Sequence, residues 1–304
     1  MFRHKKILSE EESGGHGDKW GVFSEDTEQF LSYALPHVLE NSQKLDPPIQ
    51  SLQENDVDGV LLRYEEGKDC GAVAVIATSE EENLLVSLYP ECKGAVYETY
   101  IDGIELFPNR YEARLKVVVP GIEKEITLFD TRFLYLGPVY EEGTLYRTEI
   151  AALAYRIQRV DSDPIIIDNP EEIERYNATT YWVEKYGYYE KSDEENAIKL
   201  YRSESEMSME PIVIHTDKMS MWLEDYLYKD EVHFRGRIEE IVPQEFHLLG
   251  ARFGCYRIAI DLSGEREMVL PFYVLRDDMA EKSMGFDVGE YVEGVAWVHG
   301  FIKQ

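Results

Sequence analysis

Short stretches rich in Val, Ile, Leu and Tyr, cut apart by charged or glycine-bearing turns, fill residues 57–135 and return in the last 73 residues, 232–304. That spacing leaves no room for helices alternating with strands, so it argues against a βαβ sheet and predicts an antiparallel sheet or barrel. Expected strands cover 60–64, 72–78, 83–88, 96–106, 111–119 and 125–133, then 144–158, read as a strand with a helix as its alternative, and finally 232–241, 246–249, 255–262, 267–274 and 291–302. A short helix or loop is expected at 277–284. The alternation Ala113-Arg114-Leu115-Lys116-Val117 marks a strand with one wet face. In Val295-Ala296-Trp297-Val298-His299 the same rule assigns Val295, Trp297 and, further on, Phe301 to the core.

Helical signals are fewer. Ser24 reads as an N-cap, followed by acidic Glu25 and Asp26 and by Phe30, Leu31, Ala34, Leu35, Val38 and Leu39 on one face. Pro36 is expected to kink or split that helix, and Pro47 and Pro48 to end the segment. Asn169-Pro170-Glu171-Glu172 supplies a cap, an N1 proline and an acidic first turn, with Gly187 as the stop beyond Tyr186. Met219, Trp222, Leu223, Tyr226 and Leu227 predict a second helix over 218–228. Residues 188–211, charged and Ser-rich, read as a protease-sensitive linker, with cleavage near Lys191, Lys199 or Arg202, and residues 1–22 as a weakly ordered arm. The expected organisation is thus 1–56 (arm and helix), 57–168 (first β module), 169–231 (helical, charged connector) and 232–304 (C-terminal β module).

The two β modules follow one script. Tyr100-Ile101-Asp102-Gly103-Ile104-Glu105 opens the first, followed by a strand, a turn at Gly121, a second strand and a final one through Ala151. Phe234-Arg235-Gly236-Arg237-Ile238-Glu239 opens the second, with its turn at Gly264 and its last strand through Ala296. Self-similarity at this separation predicts duplicated modules. The second copy resembles an OB-fold, the five-stranded Greek-key barrel, with Gly236 where a first strand bends around it. The resemblance implies an α+β fold, mainly antiparallel β, of two OB-like β-barrel modules joined by a helical segment.

Charge limits the function classes. The chain carries 60 acidic against 31 basic side chains, a formal charge of -29. From Glu231 onward there are eight basic and thirteen acidic residues, which leaves 23 and 47 before it, or -5 against -24. A field of that sign repels phosphate backbones and attracts basic surfaces. The longest apolar run, residues 70–77, has eight residues, short of the ~20 a membrane helix needs. Together with three cysteines and no apolar leader, this reads as a soluble, cytoplasmic protein.

Local chemistry is sparse. There is no GxGxxG, phosphate loop, GxSxG or HExxH, and no two of the seven histidines stand three or four apart, so neither a cofactor nor a metal is expected. Cys70, Cys92 and Cys255 read as buried inert thiols. Phe129-Asp130-Thr131-Arg132-Phe133 reads as a turn whose side chains satisfy local amides, or as a ligand-positioning pair. Tyr176, Tyr181, Tyr186, Tyr188, Tyr189 and Tyr201 gather around Trp182 and suit an interface or a packed helix alike. The leading functional expectation is a non-enzymatic, acidic interaction protein with a basic protein partner. The alternative is single-stranded nucleic-acid or oligosaccharide binding through the C-terminal module, using Arg235, Arg237, Tyr256, Arg257 and Phe272. An enzyme would need a site assembled from scattered carboxylates.

Overall fold

Most of the chain is β-strand, and most of its strand pairs are antiparallel. The computed structural model describes residues 4–13, 16–24, 26–45, 59–78, 82–122, 125–141, 143–161, 164–205, 208, 210–225, 228–262, 267–276 and 285–303. The strands are β1 (His4–Ile7), β2 (Gln43–Lys44), β3 (Gly59–Glu65), β4 (Cys70–Thr78), β5 (Asn83–Cys92), β6 (Ala95–Leu106), β7 (Ala113–Val118) and β8 (Glu125–Asp130). They continue with β9 (Leu145–Arg159), β10 (Ile165–Ile167), β11 (Ile212–Ile214), β12 (Met221–Glu224), β13 (Glu231–Leu248), β14 (Ala251–Asp261), β15 (Glu267–Leu275) and β16 (Tyr291–Lys303). The helices are α1 (Glu10–Ser13), α2 (Thr27–Asn41), α3 (Phe133–Leu136), α4 (Pro170–Tyr186) and α5 (Glu194–Glu204). The chain divides into two units, residues 1–160 with 220–304, and residues 161–219.

In the larger unit one pairing scheme occurs twice. β6–β7, β7–β8 and β6–β9 are antiparallel, as are β13–β14, β14–β15 and β13–β16. β8 runs parallel to β16, β15 runs parallel to β9, and β9 and β16 pair antiparallel along their length. Following the hydrogen bonds from β6 through β7, β8, β16 and β9 therefore returns to β6, and from β13 through β14, β15, β9 and β16 returns to β13. β9 and β16 belong to both circuits. The Gly236 position explains its residue: a Cβ there would stand 2.4 Å from the Ala259 carbonyl oxygen and 2.7 Å from Ile258 Cγ2. Only glycine fits so close an approach.

The inward faces of the two circuits share one apolar core, with Ile104, Leu115 and Leu128 from one and Phe234, Ile258 and Phe272 from the other. A four-stranded sheet, ordered β2-β3-β4-β5, contributes to a second core. There Val73 and Tyr89 meet Phe129, Leu153, Phe253, Tyr273 and Trp297 from the outward side of the circuits. β16 is accordingly buried on both sides, which corrects the core assignment made by alternation. Ala296, Val298 and Ile302 face the inner core, Trp297 lies in the outer one, and Val295 and Phe301 are half-buried. A register shift at Val295/Ala296 adds to the misreading.

Other local expectations are also corrected. The described residues 4–13 and 16–22 do not form a loose arm. β1 pairs parallel with β6, and Trp20 is fully buried, lies tilted against Phe23 and Phe30, and donates to the Leu88 carbonyl at 2.8 Å. α2 is capped by Asp26, which accepts from the Gln29 amide at 2.9 Å, rather than by Ser24. It continues through Pro36, its buried Ala34 and Val38 helping to offset the cost of ~3 kcal/mol for an internal proline. The described part of the stripe, 219–225, is not helical: Met221–Glu224 is strand β12 on the edge of β13, with Trp222 in the inner core. The strands expected at 232–241 and 246–249 are one strand, β13, with irregular register between Val242 and Phe246. Glu25, Pro47, Pro48, Tyr226, Leu227 and the stretch 277–284 lie outside the described residues. Among the described residues no helix is long and apolar enough to cross a membrane.

The smaller unit is a helical hairpin with a two-stranded ribbon, β10–β11. α4 starts and stops where expected. Asn169 accepts from the Glu171 amide at 2.9 Å, Pro170 is the first residue, and Gly187 follows in the left-handed region at φ 80°. Within the expected linker 188–211, the described residues 188–205 are not structureless, because α5 packs Ala197 and Tyr201 beside Ala178 of α4.

Candidate interaction surface

The five residues expected to form a ligand face do not share one. Tyr256 and Phe272 are opposite each other in register and point into the inner core, where they are almost completely buried. Arg235, Arg237 and Arg257 lie on the opposite faces of their strands, since Phe234, Ile238 and Ile258 face inward. Each arginine meets carboxylates: Arg235 bonds Glu293 at 2.5 Å, Arg237 bonds Glu239 at 2.6 Å and approaches Glu267 at 3.4 Å, and Arg257 approaches Glu240 at 3.6 Å. The arginines are outward but their charge is matched locally.

The Asp130–Arg132 run sits where β8, β16 and the four-stranded sheet meet. Its side chains reach well beyond the local turn. Asp130 accepts the Arg132 amide at 2.9 Å and the hydroxyl of Tyr140. Thr131 Oγ1 donates to Glu91 Oε2 at 2.6 Å, and Arg132 grips the same carboxylate through Nε at 3.1 Å and Nη2 at 2.9 Å. Arg63 Nε lies 2.8 Å from Glu91 Oε1, the oxygen that Arg132 Nη2 also bonds. The next residue, Cys92, donates its amide to His299 Nε2 at 2.9 Å, and the His299 ring stacks on Trp297 at 4.6 Å.

Two carboxyls in this cluster ionise differently. Burial raises Asp130 to about 7, against the lowering pull of Tyr140 and the Arg132 amide. Burial also acts on Glu91, but Arg132 and Arg63 outweigh it and hold that carboxyl below its ordinary value. Burial lowers His299 to about 4, so it is neutral near pH 7. No local signal marked Glu91, Arg63, Tyr140 or His299 as members, because they come from four separate segments. Asp130 is 1% and Glu91 3% exposed, so the cluster fastens two layers together rather than meeting a ligand.

Residues 161–219 present a different kind of surface. Fifteen acidic and six basic residues give this segment a formal charge of -9. Three of the basic side chains are engaged within the hairpin. Arg202 takes Glu174 with both Nε, at 2.5 Å, and Nη2, at 2.7 Å, Lys185 reaches Glu204 at 2.5 Å, and Arg175 reaches Glu194 at 2.8 Å. Glu174 and Glu204 are held below their ordinary values by these partners. Glu171, Glu172, Glu184 and Glu195 remain exposed.

The clustered tyrosines divide between two roles. Tyr201 is buried, and Tyr181, Tyr189 and Trp182 pack against it or its neighbours. Tyr176, Tyr186 and Tyr188 are 41%, 46% and 62% exposed, with Val183 at 41%. On α4, Tyr176 and Val183 are seven residues apart, and Tyr186 follows three later, so they run along one side. An apolar, aromatic strip with an acidic surround suits a cationic surface, through ion pairs and tyrosine–cation contacts. No family model, curated protein or solved structure matches the chain.

Proposed function

We propose that this chain is a non-enzymatic binding protein in which two OB-like barrels form a scaffold and the acidic helical unit engages a basic protein partner. The two pairing circuits support the scaffold reading. Each has the OB order of strands, including one parallel pair, with β9 and β16 each contributing to both barrels. The single observation that carries the binding reading is the exposed strip of Tyr176, Val183 and Tyr186 on α4, with exposed Tyr188 just past its end, on a unit of charge -9. A cytoplasmic setting, which keeps thiols reduced, fits the three free cysteines.

The alternative, a single-stranded nucleic acid or oligosaccharide bound at the C-terminal module, draws support from Arg235, Arg237 and Arg257 standing outward. Their carboxylate partners, and the inward turn of Tyr256 and Phe272, count against it. The two readings separate in one experiment on the full chain. A labelled lysine-rich peptide carrying Phe and Leu, and a labelled single-stranded oligonucleotide, are titrated at low and at physiological salt. The reading expects the peptide to bind and to weaken as salt screens the charges. Binding of the oligonucleotide alone would favour the alternative.

A further inference from the structure

We propose that Cys70 and Cys92 are a modification site, a cross-strand dithiol that closes reversibly to a disulfide under peroxide. The three cysteines of the chain come from β4, β5 and β14, yet all join the same core. Cys70 and Cys92 lie directly opposite each other in the antiparallel β4–β5 ladder, and Cys70 Sγ is 3.4 Å from Cys92 Sγ. The Cys92 amide bonds to His299 rather than across the ladder, while the Lys93 amide bonds to the Asp69 carbonyl at 2.7 Å. That places the cysteines at a non-hydrogen-bonded position, where opposed side chains stand closest, within the reach of a disulfide.

Position in the sheet gives the pair a route to reagents. β5 is the edge strand, Cys70 is the first residue of β4 and Cys92 the last of β5, so the pair closes one end of the ladder. Their exposures are 3% and 4%, so a reagent reaches them only when that end of the ladder opens locally. Burial pushes the Cys92 thiol up, so reaction runs through the opened end and is slow. One sulfur, as thiolate, attacks a peroxide oxygen, the O–O bond breaks, and a sulfenic acid forms with release of water. The second sulfur attacks the first, the S–O bond breaks, and water leaves. The balance is two thiols and one hydrogen peroxide to one disulfide and two waters.

Peptide mapping of the full chain tests this. Reduced protein is treated with hydrogen peroxide under native conditions, unfolded, and labelled with a maleimide. Trypsin leaves both cysteines in residues 69–93, which contain no internal Lys or Arg, so cleavage after Glu82 is needed to separate them. The expected result is a linked pair of peptides carrying Cys70 and Cys92, with Cys255 labelled, and full labelling restored by dithiothreitol. The oxidised chain should melt higher, and Cys92→Ser should show neither bridge nor shift. Three labelled thiols after peroxide, a sulfinic acid at Cys92, or a bridge that includes Cys255 would overturn the proposal.

Discussion

Tyr140 donates its hydroxyl hydrogen to Asp130, and both residues are buried where β8 ends. Burial nonetheless raises the Asp130 carboxyl from 3.8 to about 7. The folded chain therefore holds a proton across that window that the unfolded chain has released. This group's contribution to stability is complete below about pH 4 and is lost as pH rises through about 7. Asp130→Asn should flatten the decline in urea midpoint on the neutral side. An unchanged pH profile in the variant would contradict the assignment.

His299 acts with the opposite sign. Its value falls from 6.5 to about 4 on burial, so stability from this site is present above 6.5 and is lost as pH falls through about 4. His299→Gln should remove that acid-side loss while leaving the Asp130 decline in place. Urea titrations across the two windows distinguish the two groups.

Arg132 is the main counter-charge of Glu91. Replacing it by Met leaves a buried carboxylate with Arg63 and the Thr131 hydroxyl, at a cost of about 3–5 kcal/mol, as for other broken buried pairs. In Arg132→Met/Glu91→Gln the charge to be compensated is gone as well. The double variant should therefore lose less than the two single losses combined, and equality with their sum would show that the pair is uncoupled.

Strands shared by two circuits should couple them. Trp297→Ala removes a fully buried indole from β16, with an expected loss of about 3–5 kcal/mol. Hydrogen exchange should then accelerate in β7 and β14 together, although neither pairs directly with β16. Acceleration confined to one of them would mean that the circuits open independently.

In the helical unit, Lys191 is exposed in a short turn, while Arg202 is gripped by Glu174 through two nitrogens. Trypsin should cut at Lys191 first, and Glu174→Gln should hasten cleavage at Arg202. Mass spectrometry of early digests reads both outcomes.

Much of this was legible locally. The Asn169 cap, the Pro170 start and the Gly187 stop define α4 without any tertiary information, and strand positions follow from turn spacing. Where a tertiary neighbour changed the local reading, the sequence was silent. Trp297 alternates like a one-sided strand but is covered on its second face, and Trp222 belongs to a strand only because β13 offers an edge. Of the Glu91 cluster only the Asp130–Arg132 run stood out locally, for Glu91 and Arg63 meet it only after two sheets pack. Tyr186 and Tyr201 look alike in sequence, and only the packing of α5 on α4 separates the exposed tyrosine from the buried one.

The binding reading rests on the exposed tyrosines of the acidic unit, and fluorescence anisotropy with the lysine-rich, Phe- and Leu-bearing peptide tests it most directly. The full chain is compared with its Tyr186→Ala/Tyr188→Ala variant, in which two side chains 46% and 62% exposed are removed without touching the hairpin's ion pairs. The expected result is at least about tenfold weaker binding, the loss from removing two aromatic anchors worth ~1 kcal/mol each. Equal affinity of variant and parent for the peptide would contradict the account.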